Sequence, residues 1–123
     1  MARILVVDDE PDIRTLLRIS LERAGMEVAV TASGAEALTS LGTDAFDLVL
    51  LDVMMPAMDG FETLERIRAL PRGEEVTVVF LTARTQERDM ERYRAAGVAD
   101  ALTKPFDPKA LVARVRELTG GAA

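Results

Sequence analysis

The sequence predicts a doubly wound α/β fold, a three-layer sandwich with a parallel five-stranded sheet between helices. Two features carry that prediction. Short apolar runs alternate with longer stretches whose apolar residues recur every three or four positions, the signature of repeated βα units. The apolar runs are hydrophobic at consecutive positions, as in Leu48-Val49-Leu50-Leu51, which suits strands covered on both faces.

In chain order, Ile4-Leu5-Val6-Val7 is the first strand. A helix follows from Pro11 to Ala24, with Ile13, Leu16, Leu17 and Leu21 at helical spacing. Pro11 suits the first turn, where its missing N–H is not needed, and Gly25 suits the left-handed residue after the last turn. Val28-Ala29-Val30 is the second strand, and Ser33 with Glu36 has the spacing of a capping box that opens a helix to Leu41. Phe46-Asp47-Leu48-Val49-Leu50-Leu51 is the third strand, ending at Asp52. Asp59-Gly60 then turns into a helix carrying Phe61, Leu64, Ile67 and Leu70. Val76 to Leu81 is the fourth strand, β-branched in its first half. Thr85 is placed to cap a helix that runs to Ala96 and closes at Gly97. Ala101-Leu102-Thr103 is the fifth strand. Asp107 and Pro108 are an N-cap and first helical residue, opening a last helix with Leu111, Val112, Val115 and Leu118. Gly120-Gly121 ends the fold.

This is (βα)5, expected as one domain over residues 1–123 with its core over 3–119. The flavodoxin-like strand order 2-1-3-4-5 is the natural one for five such units, and its topological switch point lies between strands 1 and 3. Composition agrees: 49% of the 123 residues are hydrophobic and 29% are charged, which supports a packed core.

Charge and residue usage narrow the chemistry. A net charge of -6 disfavours non-specific nucleic-acid binding and anionic membrane surfaces, so neither is expected as a partner. There is no Cys, hence no disulfide, thiolate metal site or Cys nucleophile. There is no His, which removes the commonest general base and metal ligand. Any metal is therefore a hard cation on oxygen ligands: Mg²⁺, Mn²⁺ or Ca²⁺. The apolar run at the N-terminus is too short for a signal peptide, and no run reaches the ~20 residues of a membrane span. The expected location is the cytoplasm.

The polar residues at the strand ends form a pattern. Asp8 and Asp9 end the first strand, Asp52 the third and Thr82 the fourth, while Lys104-Pro105 follows the fifth. Each has an ordinary explanation alone. Acids near a helix N-terminus interact with its dipole, a hydroxyl at a strand end bonds backbone, and Lys is commonly solvated. Two adjacent carboxylates repel, however, and a third at the same edge needs a shared cation or proton. Pro105 adds a peptide bond that permits the cis form and can direct the preceding side chain. Three acids, one hydroxyl and one amine on a single sheet edge make a site for Mg²⁺ and a phosphoryl group.

Val7-Asp8-Asp9-Glu10-Pro11, Asp52-Val53-Met54-Met55-Pro56-Ala57-Met58-Asp59-Gly60, Leu81-Thr82-Ala83 and Leu102-Thr103-Lys104-Pro105-Phe106 together resemble the receiver domain of two-component response regulators. The resemblance covers essentially the whole chain. It implies that Asp52 accepts a phosphoryl group from a histidine kinase or histidine phosphotransfer protein, the donor supplying the His this chain lacks. It implies Mg²⁺, with Mn²⁺ as a substitute, bound directly by Asp9, through water by Asp8, and by the Asp52 carboxylate and the Met54 backbone carbonyl. Thr82 and Lys104 would hold phosphoryl oxygens. Met54 and Arg84 would flank the group and set its lifetime by controlling water access. No catalysis is implied beyond the chain's own phosphoryl transfer and autodephosphorylation.

Receivers usually carry an aromatic three residues before the Lys, which moves with the Thr and reports phosphorylation on the surface. Here that position is Ala101, and the sole Tyr, Tyr93, falls in the fourth helix, so that coupling is not expected in its usual form. Output would go to a downstream protein through the face of helix 4, strand 5 and helix 5, from a monomer or a weak phosphorylation-dependent dimer. The same pattern fits a stand-alone receiver or one cut from a longer regulator. A Mg²⁺-dependent phosphatase with an Asp nucleophile would need an acid two residues after it, where Met54 stands. A flavin-binding domain would need a Ser/Thr/Gly-rich phosphate loop where Asp8 to Asp12 stand. A receiver that had lost its phosphate chemistry would not retain all five site residues.

Overall fold

The computed structural model describes residues 1–120, so Gly121 falls outside the described residues. Strands β1 (Arg3–Val7), β2 (Glu27–Thr31), β3 (Leu48–Asp52), β4 (Thr77–Thr82) and β5 (Asp100–Thr103) alternate with five helices. These are α1 (Pro11–Arg23), α2 (Gly34–Thr43), α3 (Gly60–Arg68), α4 (Glu87–Ala95) and α5 (Pro108–Leu118). The sheet is parallel with order β2-β1-β3-β4-β5, as the sequence pattern predicts. Its direction of winding reverses between β1 and β3.

Side-chain alternation divides the core into two halves. Ile4, Val6, Leu48, Leu50, Val79 and Leu81 pack against Leu17 and Leu21 of α1 and Leu111 and Val115 of α5. Leu5, Val7, Val49, Leu51, Val78 and Phe80 pack against Ala37 of α2, Leu64 and Ile67 of α3 and Tyr93 of α4. Leu48 to Leu51 are fully buried, which is why β3 lacks any polar alternation.

Several helix ends follow from local chemistry. After α1, Gly25 adopts φ +90°. Its N–H donates to Glu22 O and that of Met26 to Leu21 O, the paired bonds of a Schellman motif. Ser33 Oγ accepts from Glu36 N while Glu36 Oε1 accepts from Ala32 N, a near-reciprocal capping box. Asp59 and Asp107 cap α3 and α5.

Three local expectations differ. Thr85 does not cap α4. The N-cap is Gln86, which makes no side-chain cap bond, and Glu87 and Asp89 instead place negative charge in the first turn. Leu70 lies beyond α3, which ends at Arg68; Leu70 precedes Pro71, and a residue before Pro is driven out of the helical region. Phe46 and Asp47 also precede β3. The Asp47 carboxylate accepts from Arg3 N, fixing that approach to the start of β1.

The loop after Asp52 is held against the helix that follows. Gly60 N donates to Val53 O at 2.9 Å. A Cβ on Gly60 would lie 2.8 Å from both Asp52 O and Val53 Cα, which are backbone atoms that cannot step aside. Gly60→Ala is therefore expected to destabilise the fold by about 1–3 kcal/mol in urea unfolding. Gly42 sits in α2, where a Cβ would meet nothing within 4 Å. Gly42→Ala should instead stabilise by roughly 0.5 kcal/mol. Equal effects at the two glycines would contradict this reading of the β3–α3 junction.

Candidate functional site

The site lies at the C-terminal edge of the sheet, at the switch point between β1 and β3. Asp8 directly follows β1, and its N–H donates to Thr31 O on β2. Its carboxylate is fully buried, accepting from Glu10 N at 2.9 Å and from Lys104 Nζ at 2.7 Å. Asp52 is the last residue of β3 and is 3% exposed. Its Oδ1 accepts from Met54 N at 3.3 Å and lies 3.4 Å from Lys104 Nζ.

Lys104 comes from the far edge of the sheet. Its own N–H donates to Thr82 O at 2.8 Å, which anchors the segment after β5 to the end of β4. The Lys104-Pro105 peptide is cis. From there the side chain crosses β4 to reach Asp52 and Asp8, and Glu10 Oε1 lies 3.3 Å from the same ammonium. Carboxylate oxygens of Asp8, Glu10 and Asp52 all fall within 4.8 Å of one another.

Three carboxylates thus face one ammonium. Burial pushes the Asp52 carboxyl up to about 6, and the Asp8 charge pushes the same way. Lys104 and the Met54 N–H pull it back only in part. Burial lowers Lys104, but the Asp8 hydrogen bond and the charges of Asp8, Asp52 and Glu10 outweigh it and leave the ammonium above its ordinary range. The cluster is short of positive charge. Its ligands are all oxygens, so the group it fits is a hard divalent cation.

Asp8, Asp52 and Lys104 are brought together as the sequence pattern suggests. Asp9 is exposed and lies outside the acid cluster, while Glu10, which sequence reasoning passed over, lies within it. The available signal for Glu10 was its place just before Pro11, which makes it the N-cap of α1 at the same sheet edge. Met54 lends its N–H to Asp52 and leaves its side chain 59% exposed. Thr82 is buried, but its hydroxyl is engaged elsewhere: it lies 2.7 Å from the hydroxyl of Tyr93. An aromatic hydroxyl thus pairs with Thr82 from α4, while position 101 of β5 holds Ala.

Residues 4–116 match the family model described as the response regulator receiver domain. The chain belongs to that family. It is 46% identical over 114 residues to an uncharacterized 14.6 kDa protein of Leptolyngbya boryana, covering 93% of this chain and 87% of that protein. It is 44% identical over 114 residues to the DNA-binding response regulator MtrA of Mycolicibacterium smegmatis, covering 93% of this chain but 49% of MtrA. Against the chemotaxis protein CheY4 of Vibrio cholerae the TM-score is 0.90 at 34% identity, covering 96% of this chain and 98% of that one. The chain spans about half the length of MtrA and of several other regulators it matches. As a receiver domain of two-component response regulators it is a signalling module, and its acid cluster fits a phosphoacceptor site. No helix among the described residues is long and apolar enough to cross a membrane.

The raised Asp52 carboxyl has a consequence for stability. Its value in the folded state, about 6, lies above the ordinary 3.8, so the folded protein holds more protons than the unfolded one between those limits. Stability must then fall as pH rises through that window. Asp52→Asn removes the loss. In metal-free buffer at pH 7 the variant is expected to be more stable than the parent by about 1–3 kcal/mol, with the gap closing towards pH 4. Thermal unfolding across that range measures it, and a variant less stable at pH 7 would contradict the assignment.

Proposed function

We propose that this receiver domain takes a phosphoryl group on Asp52 from the phosphohistidine of a histidine kinase or phosphotransfer protein. The observation that carries the reading is the convergence of Asp8, Glu10, Asp52 and Lys104 at the switch point of the sheet.

Phosphoryl transfer demands an in-line nucleophile and neutralisation of the transferred oxygens. A carboxylate oxygen of Asp52 attacks phosphorus. The new P–O bond forms as the P–N bond to the donor imidazole breaks, and the leaving nitrogen keeps the electron pair. The Asp52 carboxylate sits at the rim of the sheet, with Met54 N holding one oxygen. Lys104 turns from its carboxylate partners to an oxygen of the incoming group. Thr82 serves another oxygen once its hydroxyl is released. Met54 and Arg84, both exposed two residues past Asp52 and Thr82, screen the acyl phosphate from water and so set its lifetime.

The donor set suits Mg²⁺, with Mn²⁺ as a substitute. Asp9, Asp52 and the Met54 carbonyl would hold it directly and Asp8 through water, with Glu10 beside them. Bound there, the ion supplies the positive charge the acid cluster lacks and offsets charge on the transferred oxygens. The modified domain then presents a changed surface to a downstream protein, through the face of α4, β5 and α5.

Intact mass after incubation with a small acyl phosphate tests the reading. The parent should gain one phosphoryl group only when Mg²⁺ is present, and Asp52→Asn should gain none. A folded parent that gains nothing, or an Asp52→Asn variant that gains the same mass, would overturn it.

A further inference from the structure

A second polar cluster lies across the sheet from Asp52. Thr82 Oγ1 is 2.7 Å from Tyr93 Oη. The Tyr93 hydroxyl also reaches Arg84 O at 2.9 Å, and Thr82 Oγ1 lies 3.2 Å from the same carbonyl. Arg84 N donates to Thr82 Oγ1 at 3.0 Å. Both side chains are buried, and the Tyr93 ring packs at 5.6 Å edge-on to Phe80 and 5.9 Å stacked on Phe61.

Two hydroxyl protons serve these three oxygens, and a carbonyl can only accept. In either consistent arrangement the single Thr82 proton goes to Tyr93 or to Arg84 O. In both, that proton points into the cluster and away from Asp52. Side-chain alternation points the same way. Thr82 continues the row of Val78 and Phe80, which packs on α2, α3 and α4, whereas Asp52 continues the row of Leu48 and Leu50, which packs on α1 and α5. The hydroxyl could still accept from Tyr93 while donating elsewhere, so it is the turn towards the Asp52 face that takes Thr82 from the Tyr93 cluster. Tyr93 is the one buried side chain of α4, so that helix is tied to the core chiefly at the residue Thr82 holds.

We propose that Tyr93 is the positioning residue that ties α4 to Thr82. While Asp52 is unmodified, the Thr82 hydroxyl fixes Tyr93 and α4. When Thr82 donates to a phosphoryl oxygen on Asp52, Tyr93 loses that partner and α4 loosens. The helix, not position 101 of β5, then carries the signal to the surface. This rests on the acceptor reading above.

The chain has one Tyr and no Trp, so its intrinsic emission reports Tyr93 alone. The full chain is phosphorylated with a small acyl phosphate and Mg²⁺, intact mass fixes the extent, and Tyr93 emission and amide exchange across α4 are read on the same sample. The phosphorylated parent should show altered emission and about fivefold faster exchange in α4, the factor set by one hydrogen bond. Tyr93→Phe keeps the ring and removes only the hydroxyl. It should gain the same mass while losing most of the phosphorylation-dependent difference in exchange. Full mass gain with unchanged emission overturns the proposal, as does a Tyr93→Phe variant that keeps the whole difference. Failure to gain mass overturns the acceptor reading and this proposal with it, and is distinguished by mass alone.

Discussion

Lys104 Nζ lies 2.7 Å from Asp8 and 3.4 Å from Asp52, and these contacts join the last strand to the first and third across β4. The arrangement is not a source of net stability. Taking two acids and an ammonium out of water costs several kcal/mol per ion, and attraction repays it only with good geometry. The core must hold the strand ends in place instead, through the fully buried rows on both faces of β3. The fold brings together charges that would otherwise disperse, and leaves them one cation short. That shortage raises the Asp52 carboxyl and makes the edge receptive to a hard cation.

The two faces of the sheet divide the work. The row that ends in Asp52 runs over α1 and α5, and the row that ends in Thr82 runs over α2, α3 and α4. A change of charge at Asp52 reaches the second face only through a group able to bond on either side. In the proposed switch Thr82 is that group: it stands at the last position of β4, next to Leu81, whose carbonyl accepts from Val53 N. Its hydroxyl can face only one side of the sheet at a time, and on the proposed switch that choice would couple the faces without any long chain of contacts.

Much of this was legible in the residues. β3 announces itself by unbroken apolar character, and Asp52 by ending that run. Gly25 and the Ser33–Glu36 pair mark helix ends because their chemistry is local to the backbone. Thr85 and Leu70 misled because competing local effects prevailed: acids in the first turn of α4, and Pro71 after Leu70. Glu10, marked only by its place before Pro11, and Tyr93 were harder to read, for a different reason. The Glu10 carboxylate meets Lys104, 94 positions away, at 3.3 Å. Tyr93 lies in a mostly charged helix, and its role depends on a bond to a residue 11 positions earlier in another element. Spacing along the chain carries no record of either contact.

The most direct test of the charge shortage is the titration of the Asp52 side-chain carboxyl itself, followed by carbon NMR with and without Mg²⁺. Without the ion, the midpoint should lie near 6, and saturating Mg²⁺ should move it down towards the ordinary carboxylate range. A midpoint near 3.8 that Mg²⁺ leaves unmoved would mean that Lys104 already balances the site and that the edge is not short of positive charge.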